Sequence, residues 1–194
     1  NILPATGSTS FEMDIPTPTG FTFDTEITGL TIGSTTNTSN ITLDSSISIS
    51  GPISVYGTNI SVNENLNTVS GAVNGDVLLK ASGNIVLDTD KSIATDGGDL
   101  ILWANANDNN AGHILIGNST SSSNNITTNG GHIWMGGGAQ SLTPWNGLTV
   151  GDGYAMNSST GGIIFGTGGS NTSSDIIILD TRKTESTSGD IYLA

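Results

Sequence analysis

A short phrase recurs along this chain: a glycine, then a polar residue, then three apolar residues. Clear copies begin at Gly75, Gly83, Gly98, Gly112, Gly131 and Gly189, and looser copies begin at Gly147, Gly162 and Asp175. Self-similarity of this kind is typical of a chain that stacks one small unit many times. The phrase therefore predicts a repetitive architecture, and it constrains the fold far more than the chemistry.

The composition favours short strands over helices. The chain has 27 glycines, and runs of Ser, Thr and Asn separate its short apolar stretches. No window has the three-and-four spacing of apolar residues that an amphipathic helix needs. Triplets of Ile, Val and Leu bounded by Gly, Asn and Ser are typical of strands and turns. We therefore predict an all-β fold, a single parallel β-helix with an extended amino-terminal arm.

The charge of the chain excludes several classes of partner. The formal net charge is −13, and the cations are Lys80, Lys91, Arg182 and Lys183. Four scattered cations cannot form the basic patch that nucleic acid or an anionic lipid surface requires. No apolar run approaches the length needed to span a membrane. We therefore expect no nucleic-acid partner and no insertion into a membrane.

Two further features favour a location outside the cell. The chain has no cysteine, so it has no disulfide framework and no thiol chemistry. It begins at Asn1 rather than at a methionine, as a processed secreted chain or an excised fragment would. We therefore expect a secreted protein at a cell surface.

The spacing of the apolar triplets predicts the size of one coil. Triplets with a hydroxyl residue in the middle begin at Ile41, Ile47, Ile53 and Ile60, at steps of six, six and seven residues. Three strands per coil give 19 residues per coil, with neighbouring coils about 4.8 Å apart. From Gly98 onward the phrase glycines are 14, 19, 31 and 27 residues apart, and we interpret the last two intervals as two coils each.

From Val77 onward the middle residue of each strand is apolar as well. Since successive side chains point to opposite faces of a strand, these strands are apolar on both faces, which normally means burial on both. A solenoid has a single interior, so another segment must cover an apolar column on its outside. The predicted column comprises Leu78, Val86, Ile101, Leu115, Trp134, Ile164 and Ile177.

Residues 1–36 form the predicted arm, and residues 37–194 form the predicted β-helix. The arm holds three of the five prolines and three of the four phenylalanines, and it alternates apolar and polar residues as a half-buried strand does. We hypothesise that it docks as an extra strand, either on its own solenoid or, as we favour, on a neighbouring chain to propagate a filament. The predicted assembly interface comprises Phe11, Met13, Ile15, Phe21 and Phe23 of the arm and Ile101, Leu115, Trp134, Ile164 and Ile177 of the column.

The best copies of the phrase resemble those of a known family. Residues 75–87 read Gly-Asp-Val-Leu-Leu-Lys-Ala-Ser-Gly-Asn-Ile-Val-Leu, and residues 97–104 read Gly-Gly-Asp-Leu-Ile-Leu-Trp-Ala. With Ile93 and Thr95 between them, these residues resemble the repeats of filamentous-haemagglutinin-like bacterial adhesins, over roughly residues 40–194. The resemblance implies a right-handed parallel β-helix, export to the cell surface, and a role in adhesion or fibre building. It carries no catalytic residues.

One acidic stretch resembles a calcium loop. Asp88, Asp90, Ser92, Asp96 and Asp99 fall at positions 1, 3, 5, 9 and 12 of such a loop. The sixth position is an isoleucine where a glycine is needed, and no helices flank the stretch. We therefore interpret it as a solvated acidic turn and predict no metal or cofactor, with weak calcium binding among the acidic loops left open as an alternative.

The polar position of the phrase is filled by different residue types. His113 and His132 occupy it in two copies, and the others have acids or asparagine. Two histidines do not complete a metal site, and free exchange among Asp, Asn and His indicates a structural role. Aligned acids could imitate the carboxylates of β-helical polysaccharide lyases and hydrolases, but those enzymes use cations to hold uronates, and this chain has few. We therefore predict no catalytic residues and no enzymatic activity.

These patterns favour a structural subunit or segment of an extracellular fibre or adhesin. It would associate with itself head to tail, with glycans or a host or neighbouring cell surface as further partners. The main alternative is a carbohydrate-binding or carbohydrate-cleaving β-helix. Ice binding, which needs a flat Thr ladder, is disfavoured because the later repeats are bulky and apolar. The aromatic residues that could stack on sugars are Trp103, Trp134, Trp145, Tyr154 and Tyr192.

Overall fold

The computed structural model describes residues 13–15 (backbone only), 27–68, 75–109, 111–119, 122–145, 147–157, 162–166, 176–183 and 188–194. The strands are β1 (Met13–Ile15), β2 (Leu30–Ile32), β3 (Ile41–Leu43), β4 (Ile47–Ser48), β5 (Ile53–Gly57), β6 (Ile60–Val62), β7 (Leu66–Asn67), β8 (Val77–Ala81), β9 (Ile85–Leu87), β10 (Ser92–Ala94), β11 (Leu100–Trp103), β12 (Ala111–Gly112), β13 (Ile114–Ile116), β14 (Ser123–Thr127), β15 (Ile133–Trp145), β16 (Leu148–Gly153), β17 (Met156–Asn157), β18 (Ile163–Phe165), β19 (Ile176–Asp180) and β20 (Ile191–Leu193). The described residues include no helix, and so none that is long and apolar enough to cross a membrane. The prediction of an all-β fold is confirmed for them.

Most strands belong to three parallel sheets. Sheet A is ordered β2-β5-β8-β11-β15-β20, sheet B β1-β3-β6-β9-β13-β18, and sheet C β4-β7-β10-β14-β19. From β2 onward the chain visits sheets A, B and C in turn, and each such circuit is called a coil below. The exceptions are β16, which pairs antiparallel with β15, and the short antiparallel pair of β12 and β17. The stacking of coils is consistent with a parallel β-helix.

The register aligns equivalent residues of successive coils. Ile41 lies beside Ile60, and Ile60 lies beside Ile85 in the next coil. The first of these intervals is the 19-residue coil with three strands that the sequence predicted. Later coils are longer: equivalent residues are 33 apart between Asp99 and His132, and 58 apart between His132 and Asp190.

The interpretation of the later glycine intervals was wrong. Gly112 precedes a strand of sheet B, whereas Gly98 and Gly131 precede strands of sheet A. The intervals of 14 and 19 residues are therefore two parts of one 33-residue coil. Likewise, the intervals of 31 and 27 residues belong to one 58-residue coil, which is long because it carries an inserted hairpin.

The interior of the coils is filled by stacked aliphatic side chains. In a three-residue strand such as β3, the two outer residues are buried and the middle residue is partly exposed. Each fully buried Ile, Leu or Val contributes about 1.5–3 kcal/mol, so the stability of the fold is distributed over many coils. Two stacked columns in sheet B are Ile41, Ile60, Ile85 and Ile114, and Leu43, Val62, Leu87 and Ile116, all at most 1 % exposed.

The glycine of the phrase is required by the close approach of neighbouring coils. A Cβ atom on Gly98 would lie 2.6 Å from the carbonyl oxygen of Gly75, which holds the same position one coil earlier. A Cβ atom on Gly131 would likewise clash with the carbonyl oxygen of Gly98. The equivalent residue before β2, the edge strand of sheet A, is Thr28. Glycine is therefore needed where an earlier coil lies against this corner.

A buried threonine shapes the corner between sheets C and A. The hydroxyl of Thr95 donates a hydrogen bond to the carbonyl oxygen of Gly98 at 2.5 Å, three residues further on. The same bond recurs in other coils, from Thr68 to Gly75, from Thr128 to Gly131 and from Thr181 to Gly189. Each threonine satisfies a carbonyl that the turn would otherwise leave buried without a donor.

The stacked sheets begin before residue 37, where the sequence predicted the repeat to start. β2 pairs with β5 in sheet A, because residues 30–32 have the same apolar-hydroxyl-apolar pattern as β3. β1 lies parallel to β3, with Met13 beside Ile41, so this piece of the predicted arm pairs with its own chain. Phe11, Phe21 and Phe23 lie outside the described residues.

Candidate functional site

The polar residue of the phrase ties each coil of sheet A to the next. The Asp76 carboxylate accepts a hydrogen bond from the backbone N–H of Asp99 at 2.8 Å, and Asp99 accepts one from the N–H of His132 at 2.7 Å. The imidazole Nδ1 of His132 in turn accepts a bond from the N–H of Asp190 at 2.9 Å. Nδ1 acts in this bond as an acceptor, in the place that the carboxylates of Asp76 and Asp99 take in the earlier coils.

Asparagines form the equivalent ladder in sheet B. Asn40 accepts from the N–H of Asn59, Asn59 from that of Asn84, and Asn84 from that of His113, at 2.9–3.2 Å. The exchange of Asp, Asn and His at this position thus has a common chemical reason, because each presents an acceptor to the next coil. The structural interpretation of the histidines is consistent with these bonds: the side chain of His132 accepts from the next coil, and the backbone N–H of His113 donates to Asn84 of the coil before it.

The acids of the calcium-like stretch bond to separate groups. Asp90 accepts from the N–H of Ser123 at 2.8 Å, and Asp96 accepts from the side chain of Asn129 at 2.6 Å. Asp88 accepts from the N–H of Thr89. Among the described residues, no three His, Cys, Asp or Glu side chains are grouped so that they could hold a metal ion.

A hairpin covers part of the outer apolar column. β15 continues beyond sheet A and turns back antiparallel as β16, which brings Leu148 and Val150 onto the outside of the sheet. There they bury Ile101, which is 6 % exposed, and Trp134, which is 1 % exposed. The sequence predicted that another segment must cover this column and assigned the arm to it. In sheet A the covering segment is the hairpin.

Of the other column residues, Leu78 packs beside Ile101 under the hairpin, and Val86 lies beside Leu115 in sheet B. Leu115 and Ile164 lie side by side on the outer face of sheet B, where the sequence placed them, and are partly exposed in the described structure. Ile177 was wrongly placed in the column, since it lies beside the buried Asn124 and packs against the interior. The outward residues of β19 are instead Ile176 and Ile178.

The last described coil exposes apolar residues on all three sheets. Among the residues that the structure describes, β18 and β19 are edge strands and β20 pairs with β15 alone. The residues more than 40 % exposed there are Phe165, Ile176, Ile178, Ile191, Tyr192 and Leu193. Ile191 lies beside the fully buried Ile133, so its position belongs to the interior column of sheet A. Within the described residues, this surface therefore has the composition of the interior core.

An aromatic-cation-aromatic column stands on the outer face of sheet A. The register places Tyr56 beside Lys80 and Lys80 beside Trp103, in three successive coils. The Lys80 ammonium lies 3.3 Å from the centre of the Trp103 ring, which is a cation–π contact. The indole N–H of Trp103 donates to the carbonyl oxygen of Gly138 at 2.8 Å, so the ring is held in place.

This column borders a cleft of about 230 Å³. One wall is the turn after β2, where the side-chain amide of Asn37 donates to the Tyr56 carbonyl at 2.9 Å. The other wall is the loop after β11, which folds back so that the N–H of Ala106 bonds to the Ala81 carbonyl at 3.0 Å. The cleft is lined by Ser34, Thr35, Tyr56, Lys80, Ser82 and Asn107, among others. No sequence motif marks this group of residues, although Tyr56 and Lys80 interrupt the run of small and apolar outward residues.

A second, smaller cleft of about 140 Å³ lies between the hairpin and β20. Tyr154 and Tyr192 line it and are 67 % and 51 % exposed, while Asp152 accepts a bond from the N–H of Gln140. Trp145 stacks on His132 with ring centres 4.3 Å apart. Of the aromatic residues predicted to stack on sugars, the two tyrosines are accessible, whereas Trp103 and Trp134 are buried.

The functional assignment rests on the residues of this chain alone, because the comparisons with known proteins found no match. No protein-family model, no curated protein and no solved structure matches this chain. The resemblance to adhesin repeats therefore stays a likeness of the repeated phrase.

Proposed function

We propose that this chain is a structural segment of an extracellular fibre or adhesin, that its coils form a single right-handed parallel β-helix, and that it associates with further copies head to tail. The observation that carries the proposal is the exposed apolar edge of the last described coil. Edge strands present unpaired N–H and C=O groups that another strand can pair with.

The use of the repeated residues supports a structural role. In most coils a glycine permits close stacking, an Asp, Asn or His side chain accepts a bond from the next coil, and a corner threonine satisfies a carbonyl. The side chains that recur most are therefore engaged in holding coils together. We propose on this basis that the chain has no catalytic activity.

The direction of the sheets supports head-to-tail association. β18 is one edge of sheet B, and β1 is the other. If β1 of one copy pairs with β18 of the next, sheet B continues from chain to chain in the same parallel sense. Such a contact joins two different surfaces and does not close on itself, so it generates an open filament. The arm then acts between chains even though β1 also pairs with β3 of its own chain.

The edge is tested by a charge placed on it. Ile191→Lys would put an ammonium on an apolar edge residue that is 44 % exposed, and Leu142→Lys would put one on the hairpin at a residue that is 41 % exposed. We expect the unmodified chain and Leu142→Lys to sediment as concentration-dependent oligomers and to form filaments by electron microscopy. We expect Ile191→Lys to stay monomeric.

The arm is tested separately by deletion of residues 1–26. The shortened chain should remain folded by circular dichroism and should no longer assemble. If the shortened chain still forms filaments, the arm is not needed for assembly, and the exposed edge remains as the proposed contact. A full-length chain that stays monomeric at high concentration would contradict the proposed function itself.

A second candidate function is carbohydrate binding. It is favoured by the two clefts, one bordered by the exposed rings of Tyr154 and Tyr192 and the other by Tyr56 and Lys80. Aromatic faces and convergent polar groups are the usual components of small-molecule sites. This function is compatible with a fibre, since an adhesin must hold a ligand on the side of its shaft. Titration with sugars, designed below, tests it.

A further inference from the structure

Lys80 differs from the other cations whose contacts are described. Lys91 pairs with Glu64 at 3.3 Å, and Arg182 pairs with Asp180. Within the described residues, no ion pair includes Lys80. In a chain with a net charge of −13, a lysine that borders a cleft without a carboxylate beside it has its charge available for a ligand.

The surroundings of Lys80 hold its ammonium at a fixed place. The Trp103 ring beneath it is anchored through its indole N–H to Gly138, and it meets the Trp134 ring edge to face at a centre distance of 6.1 Å. Burial lowers the pKa of Lys80, which means that the ammonium is partly removed from water. A partly desolvated cation that is already positioned loses less on binding an anion than a mobile one does.

We propose that the cleft beside Lys80 binds a sugar residue that bears a carboxylate, of the hexuronic or sialic acid type. The Lys80 ammonium pairs with the carboxylate, and the side chains of Ser34, Ser82 and Asn107 bond to the sugar hydroxyls. Tyr56, next to Lys80 in the column, offers its ring to the apolar face of the sugar. The inference rests on the second candidate function, carbohydrate binding, and names its ligand class and site.

The chemistry of the cleft favours a carboxylate over a phosphate. Phosphate sites gather several cations or a set of backbone N–H groups, because the ligand carries close to two charges. This cleft is lined by the single cation Lys80 together with hydroxyl and amide groups. One ammonium matches one carboxylate. The volume of about 230 Å³ suits one sugar unit and parts of its neighbours.

The net negative charge of the chain opposes the approach of any acidic sugar. This repulsion acts at long range and is screened over about 8 Å at 0.15 M ionic strength, whereas the contact with Lys80 is short. Binding should therefore be measured at 0.15 M NaCl by titration calorimetry and by amide chemical shifts in NMR spectra. The ligands form two pairs that differ in charge: trigalacturonate and its methyl ester, and sialyllactose and lactose.

We expect at least one of the acidic sugars to bind at millimolar or lower concentration. Its uncharged partner should bind about tenfold more weakly or not at all, because it lacks the carboxylate that pairs with the ammonium. Shifts should centre on residues 80–82 and 106–107. Which acidic sugar binds distinguishes a plant or algal source from an animal glycan.

Variants separate this site from a purely structural role of Lys80. Lys80→Met keeps an unbranched chain over Trp103 and removes the charge, so it should retain the fold and lose about tenfold in affinity. Lys80→Arg should retain binding, and Lys91→Met, which removes a cation paired elsewhere, should leave it unchanged. Thermal unfolding of each variant shows whether the fold is intact.

Two results would overturn the inference. Absence of binding by all four sugars would remove both this site and carbohydrate binding as a function. Equal binding of a charged and an uncharged partner, unchanged in Lys80→Met, would keep carbohydrate binding and place it elsewhere, as would shifts confined to Tyr154 and Tyr192.

Discussion

The carboxylate of Asp76 accepts a hydrogen bond from the backbone N–H of Asp99, 23 residues later, although the second residue is itself an acid. Burial raises the pKa of Asp76, the bond from the Asp99 N–H lowers it, and the charge of Asp99 raises it again. The net direction is upward, so the folded chain holds the charged form of Asp76 at a cost. In sheet B, Asn59 and Asn84 make the same bond without a charge.

Asp76→Asn should therefore stabilise the protein at neutral pH. The amide oxygen of asparagine still accepts the hydrogen bond, and the substitution removes the charge that the folded state holds at a cost. The folded pKa of Asp76 lies above its unfolded value of 3.8. At pH values between these two pKa values the folded state binds more protons than the unfolded state, so stability falls as pH rises through this range. The gain from Asp76→Asn, measured by urea unfolding, should be full at pH 7 and should vanish below the unfolded pKa.

Asp76→Ala is the matched control, since it removes the charge and the acceptor together. It leaves the Asp99 N–H without its partner, which costs about 0.5–1.5 kcal/mol. A stability of Asp76→Asn equal to or below that of Asp76→Ala at pH 7 would show that the acceptor is not what this position supplies.

Thr95→Val should destabilise the protein through the corner of its coil. The substitution keeps the shape of the side chain and removes the donor to the Gly98 carbonyl, where Thr95 is 2 % exposed. A buried acceptor left without a donor costs about 1–3 kcal/mol. Thr95→Ser keeps the hydroxyl and loses one methyl group, a loss of about 0.8 kcal/mol. The prediction fails if the valine variant is as stable as the serine variant in urea.

Gly98→Ala and Gly29→Ala should differ in sign. The new Cβ at residue 98 would lie 2.6 Å from the carbonyl oxygen of Gly75, so the backbones of two coils must move apart. Overpacking of this kind costs about 1–3 kcal/mol or more. At residue 29 the nearest atom would be 3.8 Å away, on Pro52, and the alanine should be neutral or stabilising by up to about 1 kcal/mol through the unfolded chain. Equal thermal midpoints for the two variants would contradict the stacking argument.

Much of the fold could be predicted because it follows from sequence patterns a few residues long. The apolar-hydroxyl-apolar triplets determined which side chains face the interior, and their spacing gave three strands per coil, as the pairing of Ile41 with Ile60 confirms. The apolar middle residues also indicated that something covers the outside of the sheets. These inferences need only the alternation of side chains along a strand.

The covering segment could not be identified from the sequence. Residues 147–150 read as a loose copy of the repeated phrase, whereas they form the returning strand of a hairpin over Trp134. Ile177 was misplaced for a related reason, since three consecutive isoleucines give no sign of which one faces inward, and only the register with Asn124 decides it. Both errors concern long-range pairing.

The sequence pattern did not predict the clefts either. Lys80 and Trp103 are 23 residues apart and meet only because their coils are in register. The turn that carries Ser34 and the loop that carries Asn107 then approach the same place from different coils. No local motif encodes this meeting.

His113→Asn should flatten the dependence of stability on pH. Burial lowers the pKa of His113 below 6.5, so between the two values the unfolded state binds more protons and stability rises with pH. The contribution of neutral His113 is thus full above the unfolded pKa and is lost as pH falls through this window. Asparagine fills the equivalent position at residue 84 and does not titrate. We expect the urea midpoint of the variant to change less between pH 7.5 and pH 5 than that of the unmodified chain. If the two midpoints change equally with pH, other groups cause the pH dependence.

Leu148→Ala and Leu142→Ala test whether the hairpin is an integral part of the fold. Leu148 is 4 % exposed and packs with Ile101, Trp103 and Trp134, whereas Leu142 on the facing strand is 41 % exposed. Truncation of a buried leucine costs about 2–5 kcal/mol, and truncation of an exposed one changes stability by about 0.5 kcal/mol or less. Tryptophan fluorescence during urea unfolding reports on the hairpin directly, and far-ultraviolet circular dichroism reports on the sheets. If Leu148→Ala shifts both signals together, the hairpin and the stacked coils unfold as one unit. A shift in fluorescence alone would show that the hairpin opens first, and equal effects of the two substitutions would contradict its assignment as the cover of sheet A.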